Sequence, residues 1–310
     1  MTGTSAEPAG SPRTRSLAAY GWMALSASLF AGMYFFAHLA SHRVPWTMVA
    51  TARAGVGAMV AIGVGKMRGV PVLPEGKGSR QMWLRSLFGT ASLLCTFYAT
   101  GSPDLALGDA ITLANLGPVI IAVLAPLMLG ERSGRRVAVA IPLSLAGVVC
   151  IVRPAIFFGH EVANGRMLLP AVAAIGGSFF ASLAMIMLRQ VSDRVGPEAI
   201  AAHFSLTAAA VMFVLSIPKL TVPAAHDLAI MLAAGLCAGF AQLAMTRAYA
   251  LEFAARVSPF GYLQVVIGSL LGAVALAQWP DALTFVGMLL VIAGGVFVSI
   301  VSLREQRLRA

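Results

Sequence analysis

Charged residues are scarce in this chain of 310 residues, and acidic ones are the scarcest of all. Only 11% of the residues are Asp, Glu, Lys or Arg, and Asp and Glu together number 12. A soluble chain of this length needs far more charge to cover its surface, so the composition excludes an ordinary soluble protein. With 59% apolar residues and a mean hydropathy of +0.85, the chain suits lipid as its solvent.

Cysteines and catalytic motifs are also rare. The three cysteines, Cys95, Cys150 and Cys237, lie in apolar stretches without metal or redox spacing, so we expect small core residues. The sequence has no paired intramembrane aspartates, no His-Glu-x-x-His motif and no phosphate loop. We therefore expect no catalytic residue, metal, cofactor or ATP hydrolysis, and an intramembrane enzyme remains only as an alternative function.

Long apolar runs fill most of the chain. Ten of them approach the length of about 20 residues that crosses a bilayer as a helix. They cover residues 17–38, 46–65, 83–101, 109–129, 136–153, 168–188, 199–218, 228–247, 257–277 and 281–301. The sequence thus predicts an all-α integral membrane protein with ten transmembrane helices.

One motif occurs twice. Leu129-Gly130-Glu131 is followed by Ala146-Gly147, and Leu276-Ala277-Gln278 is followed at the same spacing by Ala293-Gly294. The offset is constant, because 276 − 129 = 147 and 294 − 147 = 147. Each copy closes a half of five spans, and an odd number reverses the second half in the membrane. We therefore predict two inverted five-helix repeats.

The repeat predicts how the chain is divided. The segments are a disordered cytoplasmic tail at 1–15, the first repeat at 16–153, an outer linker at 154–167, the second repeat at 168–303 and a basic cytoplasmic tail at 304–310. Within the spans, Gly235-x-x-x-Gly239 and Gly268-x-x-x-Gly272 are expected to bring helices close together.

Basic residues give the chain a net charge of +10, and their positions indicate membrane topology rather than a nucleic-acid partner. Alternate connections hold 17 Lys and Arg residues on one side of the predicted membrane and 4 on the other. Because such an excess marks the cytoplasmic side, both termini are predicted to be cytoplasmic in a multi-pass protein of the inner cell membrane. This count places Arg85 on the inner side and leaves Arg53 inside a span.

Several motifs resemble those of the drug/metabolite transporter superfamily, in its EamA-type ten-helix branch. They are Ala52-Arg53-Ala54-Gly55, Phe97-Tyr98-Ala99, Ala114-Asn115-Leu116-Gly117-Pro118, Leu129-Gly130-Glu131-Arg132, Leu145-Ala146-Gly147-Val148-Val149 and Val257-Ser258-Pro259-Phe260-Gly261-Tyr262-Leu263. The resemblance implies a carrier of small metabolites, such as amino-acid-like compounds. The second half departs from the family pattern, since Leu276-Ala277-Gln278 replaces a second Leu-Gly-Glu.

Arg53 is the foremost candidate for a substrate contact. An arginine at the centre of a membrane helix costs about 2.5–3.5 kcal/mol on insertion scales. It must therefore face the interior of the bundle and meet a partner or an anionic group of the substrate. The structural alternative is a hydrogen-bond hub that caps the carbonyls of a broken helix.

Other polar and aromatic residues within the spans complete the predicted site. Tyr34 and His38 share a helical face, and Asn115 lies beside Pro118, where freed carbonyls can hold a polar group or cargo. The predicted substrate-binding residues are Arg53, Asn115, His38, Tyr34, Tyr98, His203, Gln242, Tyr262 and Gln264, with Pro118, Glu131 and Arg132 as gating or structural residues. His38 could instead be an interfacial residue, and Glu131-Arg132 a cytoplasmic salt-bridge cluster.

These patterns favour a secondary-active transporter that works by alternating access around a central cavity. We expect a small-molecule substrate, the bilayer as environment, and a proton or counter-substrate as coupling partner. Export of amino-acid-like or other small organic compounds by a monomer or homodimer is the predicted activity. A channel is the main alternative, although channels usually build their pores from symmetric oligomers or charged rings.

Overall fold

The chain folds into a bundle of α-helices. The computed structural model describes residues 12–41, 43–70, 79–100, 113–114, 116–130, 135–152, 168–276 and 281–309, together with Ser102 and Asp104. No β-strand occurs within these ranges. The all-helical class predicted from the composition is confirmed.

The described helices are numbered in chain order. They are α1 (Pro12–Ser41), α2 (Trp46–Met67), α3 (Ser79–Thr100), α4 (Gly117–Leu129), α5 (Arg135–Val152), α6 (Leu168–Val191), α7 (Pro197–Ser216), α8 (Ala225–Leu251), α9 (Leu263–Leu276) and α10 (Ala282–Arg309). A 3-10 turn, Ile217–Lys219, extends α7. One helical turn, Ala254–Val257, and the 3-10 segment Ser258–Tyr262 lead into α9.

Six helical stretches in the described ranges are long and apolar enough to cross a membrane. They are Thr14–Ser41, Trp46–Met67, Leu168–Val191, Pro197–Lys219, Ala225–Leu251 and Ala254–Ala275. Shorter apolar helices accompany them at Gly117–Leu129, Ile141–Cys150 and Ala282–Gly294. α3 does not reach the same hydropathy, because it carries Arg80, Gln81 and Arg85. The chain is thus a multi-pass membrane protein.

Two helices extend into segments that the sequence predicts as tails. α1 begins at Pro12, inside the predicted tail 1–15. Proline favours the first turn of a helix, because its φ is already helical and its missing N–H has no partner there. α10 continues to Arg309 through the predicted tail 304–310, whose Arg, Glu, Gln and Leu residues favour helix. The predicted linker 154–167 lies outside the described residues.

The most extensive helix–helix contacts join the two halves of the chain. The most extensive contacts are α1 with α8, α3 with α6, α2 with α7 and α5 with α10, followed by α2 with α8. Smaller contacts join α1 to α9, α3 to α7 and α4 to α6. Each of these pairs joins a helix of the first half to one of the second. The interior of the bundle is therefore the interface between the halves.

Glycines allow α2 and α8 to approach closely. A Cβ at Gly235 would lie 2.6 Å from the Cβ of Val56, and a Cβ at Gly239 would lie 2.8 Å from that of Val60. The predicted close approach at Gly235-x-x-x-Gly239 is confirmed. At Gly268 the structure differs, because an added Cβ would meet no described atom within 4 Å.

A row of large apolar side chains on α8 is nearly half exposed at the surface of the bundle. Leu228, Leu232, Leu236 and Phe240 recur every four residues and are between 43% and 48% exposed. This spacing puts them on one helical face. An apolar stripe outside and small residues inside are the arrangement that a helix between lipid and protein requires.

We expect Gly235→Ala and Gly239→Ala to destabilise the protein by about 1–3 kcal/mol each, because the added methyl group overpacks the α2–α8 contact. The matched control is Gly63→Ala on α2, where an added Cβ meets nothing within 4 Å. This control should be neutral or slightly stabilising, since alanine favours helix over glycine. Melting temperatures of the detergent-purified variants measure the difference, and equal values for Gly239→Ala and Gly63→Ala would contradict it.

Candidate functional site

A cavity of about 160 Å³ lies between the two halves. Residues of α1, α2 and α3 line it from the first half, and residues of α6, α7, α8 and α9 line it from the second. A recess of about 20 Å³ adjoins the cavity and shares Arg53, Leu93, Phe204 and Gln242 with it. The recess alone is large enough for about one water molecule.

Four of the predicted substrate contacts line this cavity. They are Tyr34 on α1, Arg53 on α2, Gln242 on α8 and Gln264 on α9. Arg53 lies seven residues after Trp46, the first residue of α2, which places it about 10 Å along the helix at roughly 1.5 Å per residue. The structure brings these residues together from both halves, and their role in binding stays a prediction.

Gln242 offers an unused hydrogen-bond donor to the cavity. The residue is 5% exposed, and its side-chain Nε2 has no hydrogen-bond partner among the described residues. A buried donor without an acceptor costs about 1–3 kcal/mol. A cargo molecule with an acceptor oxygen would remove that cost.

Aromatic side chains form much of the cavity wall. Phe30 and Tyr34 contribute from α1, Phe97 from α3 and Phe204 from α7. The ring of Phe97 stacks on that of Trp46, with centroids 5.8 Å apart. Apolar walls with a few polar groups are typical of sites for small molecules.

Arg85 also lines the cavity, although the charge count places it on the inner side of the membrane. The structure buries this side chain within the protein and leaves only 1% of Arg85 exposed. Its guanidinium carbon lies 4.3 Å from the centroid of the Phe204 ring. The available sequence signal is Gly89, which follows one helical turn later and leaves space on the same face of α3.

His203 lies next to the cavity but does not line it. Its Nδ1 shares a hydrogen bond of 2.7 Å with the Ser86 hydroxyl, and its ring lies edge-on to Trp83 with centroids 4.4 Å apart. Phe204 faces the cavity instead, because successive helical residues are rotated by about 100°. The role of His203 in substrate binding stays a prediction.

Tyr262 and Tyr98 are also placed away from the cavity. Tyr262 is 1% exposed and packs in a hydrophobic cluster with Val148 and Met288. Tyr98 is 45% exposed near the end of α3. From the sequence alone, an aromatic residue that packs in the core or lies at the surface cannot be distinguished from one that binds substrate.

Pro118 lies at the start of a helix. α4 begins at Gly117, which places Pro118 in its first turn. The hydroxyl of Ser182 on α6 lies 3.2 Å from the carbonyl oxygen of Gly117, to which it can donate. The hydroxyl also lies 2.8 Å from the carbonyl oxygen of Ser178 in its own helix, and its single proton can serve either acceptor.

The remaining predicted site residues cannot be placed in the cavity. Asn115, Glu131 and Arg132 lie outside the described residues, as does the side chain of His38, whose backbone belongs to α1. Among the residues that are described, no group of three or more His, Cys, Asp or Glu side chains could hold a metal ion.

A buried carboxylate ties the two halves together at one end of the bundle. Glu198, at the start of α7, is 3% exposed. Its Oε1 accepts hydrogen bonds from Arg68 Nη1 at 3.1 Å and from Arg247 Nη2 at 2.7 Å. Arg68 follows α2, whereas Arg247 belongs to α8. We call these three residues the Glu198 network. Because they lie far apart in the sequence, motif analysis does not find it.

A second buried carboxylate joins the halves through α1. The Ser16 hydroxyl donates to Glu252 Oε2, and the Arg256 guanidinium lies 3.4 Å from Glu252 Oε1. A looser pair also joins the halves, where Arg43, itself 69% exposed, lies 3.8 Å from Asp227 at the start of α8. Asp227 is buried, but its partner is exposed, and exposed pairs contribute about 0–1 kcal/mol.

The sequence profile of the EamA-like transporter family matches residues 17–153 and again residues 168–300. The chain belongs to the EamA-like transporter family. This membership confirms the resemblance found in the motifs. It makes the protein a membrane transporter by family, with a small molecule as the kind of substrate that the family implies.

Three curated relatives show how this transporter compares with proteins of given function. The pseudopaline exporter CntI of Pseudomonas aeruginosa is 28% identical over 276 residues, which are 89% of this chain and 93% of the exporter. A probable transport protein of Saccharomyces cerevisiae is 25% identical over 74% of this chain and 70% of its own length. The riboflavin transporter of Rhizobium johnstonii is 26% identical over 70% of each.

A solved crystal structure shares the fold. It aligns with a TM-score of 0.78 at 21% identity, over 94% of this chain and 98% of the other. At that identity the likeness establishes the architecture alone.

We expect Glu198→Gln to open the end of the bundle that the Glu198 network joins. The substitution removes a buried charge that pairs with two arginines, Arg68 with a side chain 52% exposed and Arg247 with one 18% exposed, and loss of a partner in a partly buried pair is destabilising. A reporter thiol at Met82→Cys, in a chain whose three native cysteines are replaced by serine, should then react with maleimide about tenfold faster or more. Met82 suits this purpose because it is 3% exposed and packs in one cluster with Ala199, the neighbour of Glu198.

The control for this experiment is Asp193→Asn. Asp193 also pairs with an arginine, Arg189 at 3.6 Å, but its side chain is 77% exposed. Its removal should leave the labelling rate unchanged. Equal rates for Glu198→Gln and Asp193→Asn would show that the network does not hold this end closed.

Proposed function

We propose that this transporter is a secondary-active exporter of small organic compounds that carry an acidic group, and that it works by alternating access around the central cavity. The carrying observation is Arg53, a cation on a membrane-spanning helix that lines a cavity between the halves. Among the described residues that line the cavity, none is acidic. The cargo would then supply the missing negative charge.

The electrostatic argument rests on where the arginine lies. A cation away from bulk water is costly, and an anion that forms charge-assisted hydrogen bonds with it offsets part of that cost. Gln242 and Gln264 add neutral polar groups, and the aromatic wall adds apolar contact area. This combination suits a small organic acid better than a bare inorganic ion.

Two inverted repeats of five helices each, with ten membrane crossings in total, would move against each other during transport. Exchanging α1–α5 with α6–α10 turns the α1–α8 contact into the α6–α3 contact, and the α1–α9 contact into the α6–α4 contact. Thr96 and Gln242 both line the cavity at a separation of 242 − 96 = 146, which equals the separation of the α4 and α9 starts, 263 − 117 = 146. The family profile, which matches once in each half, supports the same division.

Both termini would lie in the cytoplasm of the inner cell membrane. With Arg85 moved from the inner side to the cavity, the bias of basic residues is 17 − 1 = 16 against 4. The Glu198 network would then close the cavity at the cytoplasmic end. When the two halves rock against each other, the network would break and the cavity would open at that end. Export is inferred from similarity to the pseudopaline exporter. A gradient of protons or of a counter-substrate would drive it, in a monomer or homodimer.

We expect Arg53→Gln to lower export of the acidic cargo about tenfold or more, because hydrogen bonds to a charged partner contribute about 1.5–3 kcal/mol. Metabolites inside and outside cells that express the wild type, Arg53→Gln, Arg194→Gln or an empty vector are compared by mass spectrometry. Arg194→Gln is the control, since it removes the same charge from an exposed position in the turn after α6.

The outcome also separates a carrier from a channel. A compound class that leaves the cell with the wild type and Arg194→Gln, but not with folded Arg53→Gln, supports the proposal. Flux should saturate with cargo concentration, whereas a channel would carry a larger, nearly linear flux. Undiminished export by Arg53→Gln would contradict the assigned role of this residue.

A further inference from the structure

We infer that Arg85 forms a second cationic subsite of the cavity, so that the preferred cargo carries two acidic groups, one for Arg53 and one for Arg85. This inference rests on the proposed function and specifies its class of substrate. Both arginines line the same cavity, Arg53 from α2 and Arg85 from α3. Neither residue has a described acidic partner.

The guanidinium of Arg85 is buried with unused hydrogen-bond donors. Arg85 is 1% exposed, and its Nε and Nη1 have no hydrogen-bond partner among the described residues. Arg256 offers a contrast, since it is 4% exposed but lies 3.4 Å from the Glu252 carboxylate. A purely structural arginine would be expected to bind helix carbonyls or an acid in the same way. The Arg85 donors that have no described partner are therefore available to an acidic group of the cargo.

The neighbouring described residues hold Arg85 in place without accepting hydrogen bonds from its Nε and Nη1. Its guanidinium lies over the Phe204 ring at 4.3 Å, a contact that stabilises the cation but uses no N–H group. Gly89 provides the space, because a Cβ there would lie 2.5 Å from Arg85 Nη1 and 2.7 Å from Phe204 Cε2. The glycine and the aromatic ring together form a cradle for the guanidinium at the cavity wall.

Charge balance then sets the number of acidic groups. Two guanidinium groups face a cavity whose described lining contains no carboxylate. Each guanidinium can hold one carboxylate through two parallel N–H···O bonds. A cargo with one acidic group would leave the other arginine buried and unpaired, which is the costly arrangement. A small dicarboxylate would pair both.

The test uses three probes of nearly equal size: glutarate with two charges, its half-amide with one, and its diamide with none. Their dissociation constants with the purified full-length transporter are measured by titration calorimetry. The wild type should bind glutarate about tenfold to a hundredfold more tightly than the half-amide, since the second charge gains hydrogen bonds from a cation. Arg85→Gln should bind glutarate and the half-amide alike, and should still prefer both to the diamide because Arg53 remains.

A second variant removes the subsite without removing a charge. Gly89→Ala keeps both arginines but places a methyl group where the Arg85 guanidinium lies, so it should also lose the preference for the second charge. Gly55→Ala is the matched control, because a Cβ there meets no atom of the described residues within 4 Å. Melting temperature and a monodisperse elution profile verify that each variant is folded. A variant that lost only stability would weaken all three probes together, without changing their order.

Three results would overturn the inference: equal affinity of the wild type for glutarate and the half-amide, an unchanged preference in folded Arg85→Gln, or no binding of any probe. Different results would contradict the proposed function itself. If export depends on Arg53 but glutarate and its half-amide bind equally well, the carrier has one cationic subsite. Export that does not depend on Arg53 would remove the proposed site itself.

Discussion

Contact between the two halves of the chain is the interaction on which the rest of the structure depends. The helices of each half pack chiefly on those of the other, as α1 does on α8 and α3 on α6. Lipid offers no hydrogen bonds, so polar groups within the bilayer must collect where protein faces protein. The same interface therefore holds the close glycine contacts, the buried carboxylates that join the halves, and the cavity with its two arginines.

Some of the polar residues that line the cavity could be predicted from the sequence, because a polar residue within a long apolar run is costly. Arg53, Gln242 and Gln264 stand out for that reason alone, and the composition defines the helical membrane class. Arg85 and His203 could not be assigned in the same way. A residue near the end of a span can face headgroups, a neighbouring helix or a cavity. Helix rotation decides between these, and it depends on packing that spacing does not encode.

The contacts that join the halves were equally hidden. Glu198 lies 130 residues from Arg68 and 49 from Arg247, so only the folded chain brings the three together. Ser182 likewise reaches the start of α4 across 65 residues. Because the Arg68–Glu198 and Ser182–Gly117 contacts each join the two halves, these two contacts depend on the relative position of the halves. Such contacts can change when the halves move, whereas contacts inside one helix cannot.

The low hydropathy of α3 has a consequence for how the protein is made. Arg80 and Arg85 make this helix a poor candidate to leave the translocon for lipid by itself. Its main partner, α6, begins at Leu168, which is 168 − 100 = 68 residues after α3 ends at Thr100. We therefore expect α3 to wait beside the translocon until α6 emerges from the ribosome. Integration of the first half would then be completed only by synthesis of the second.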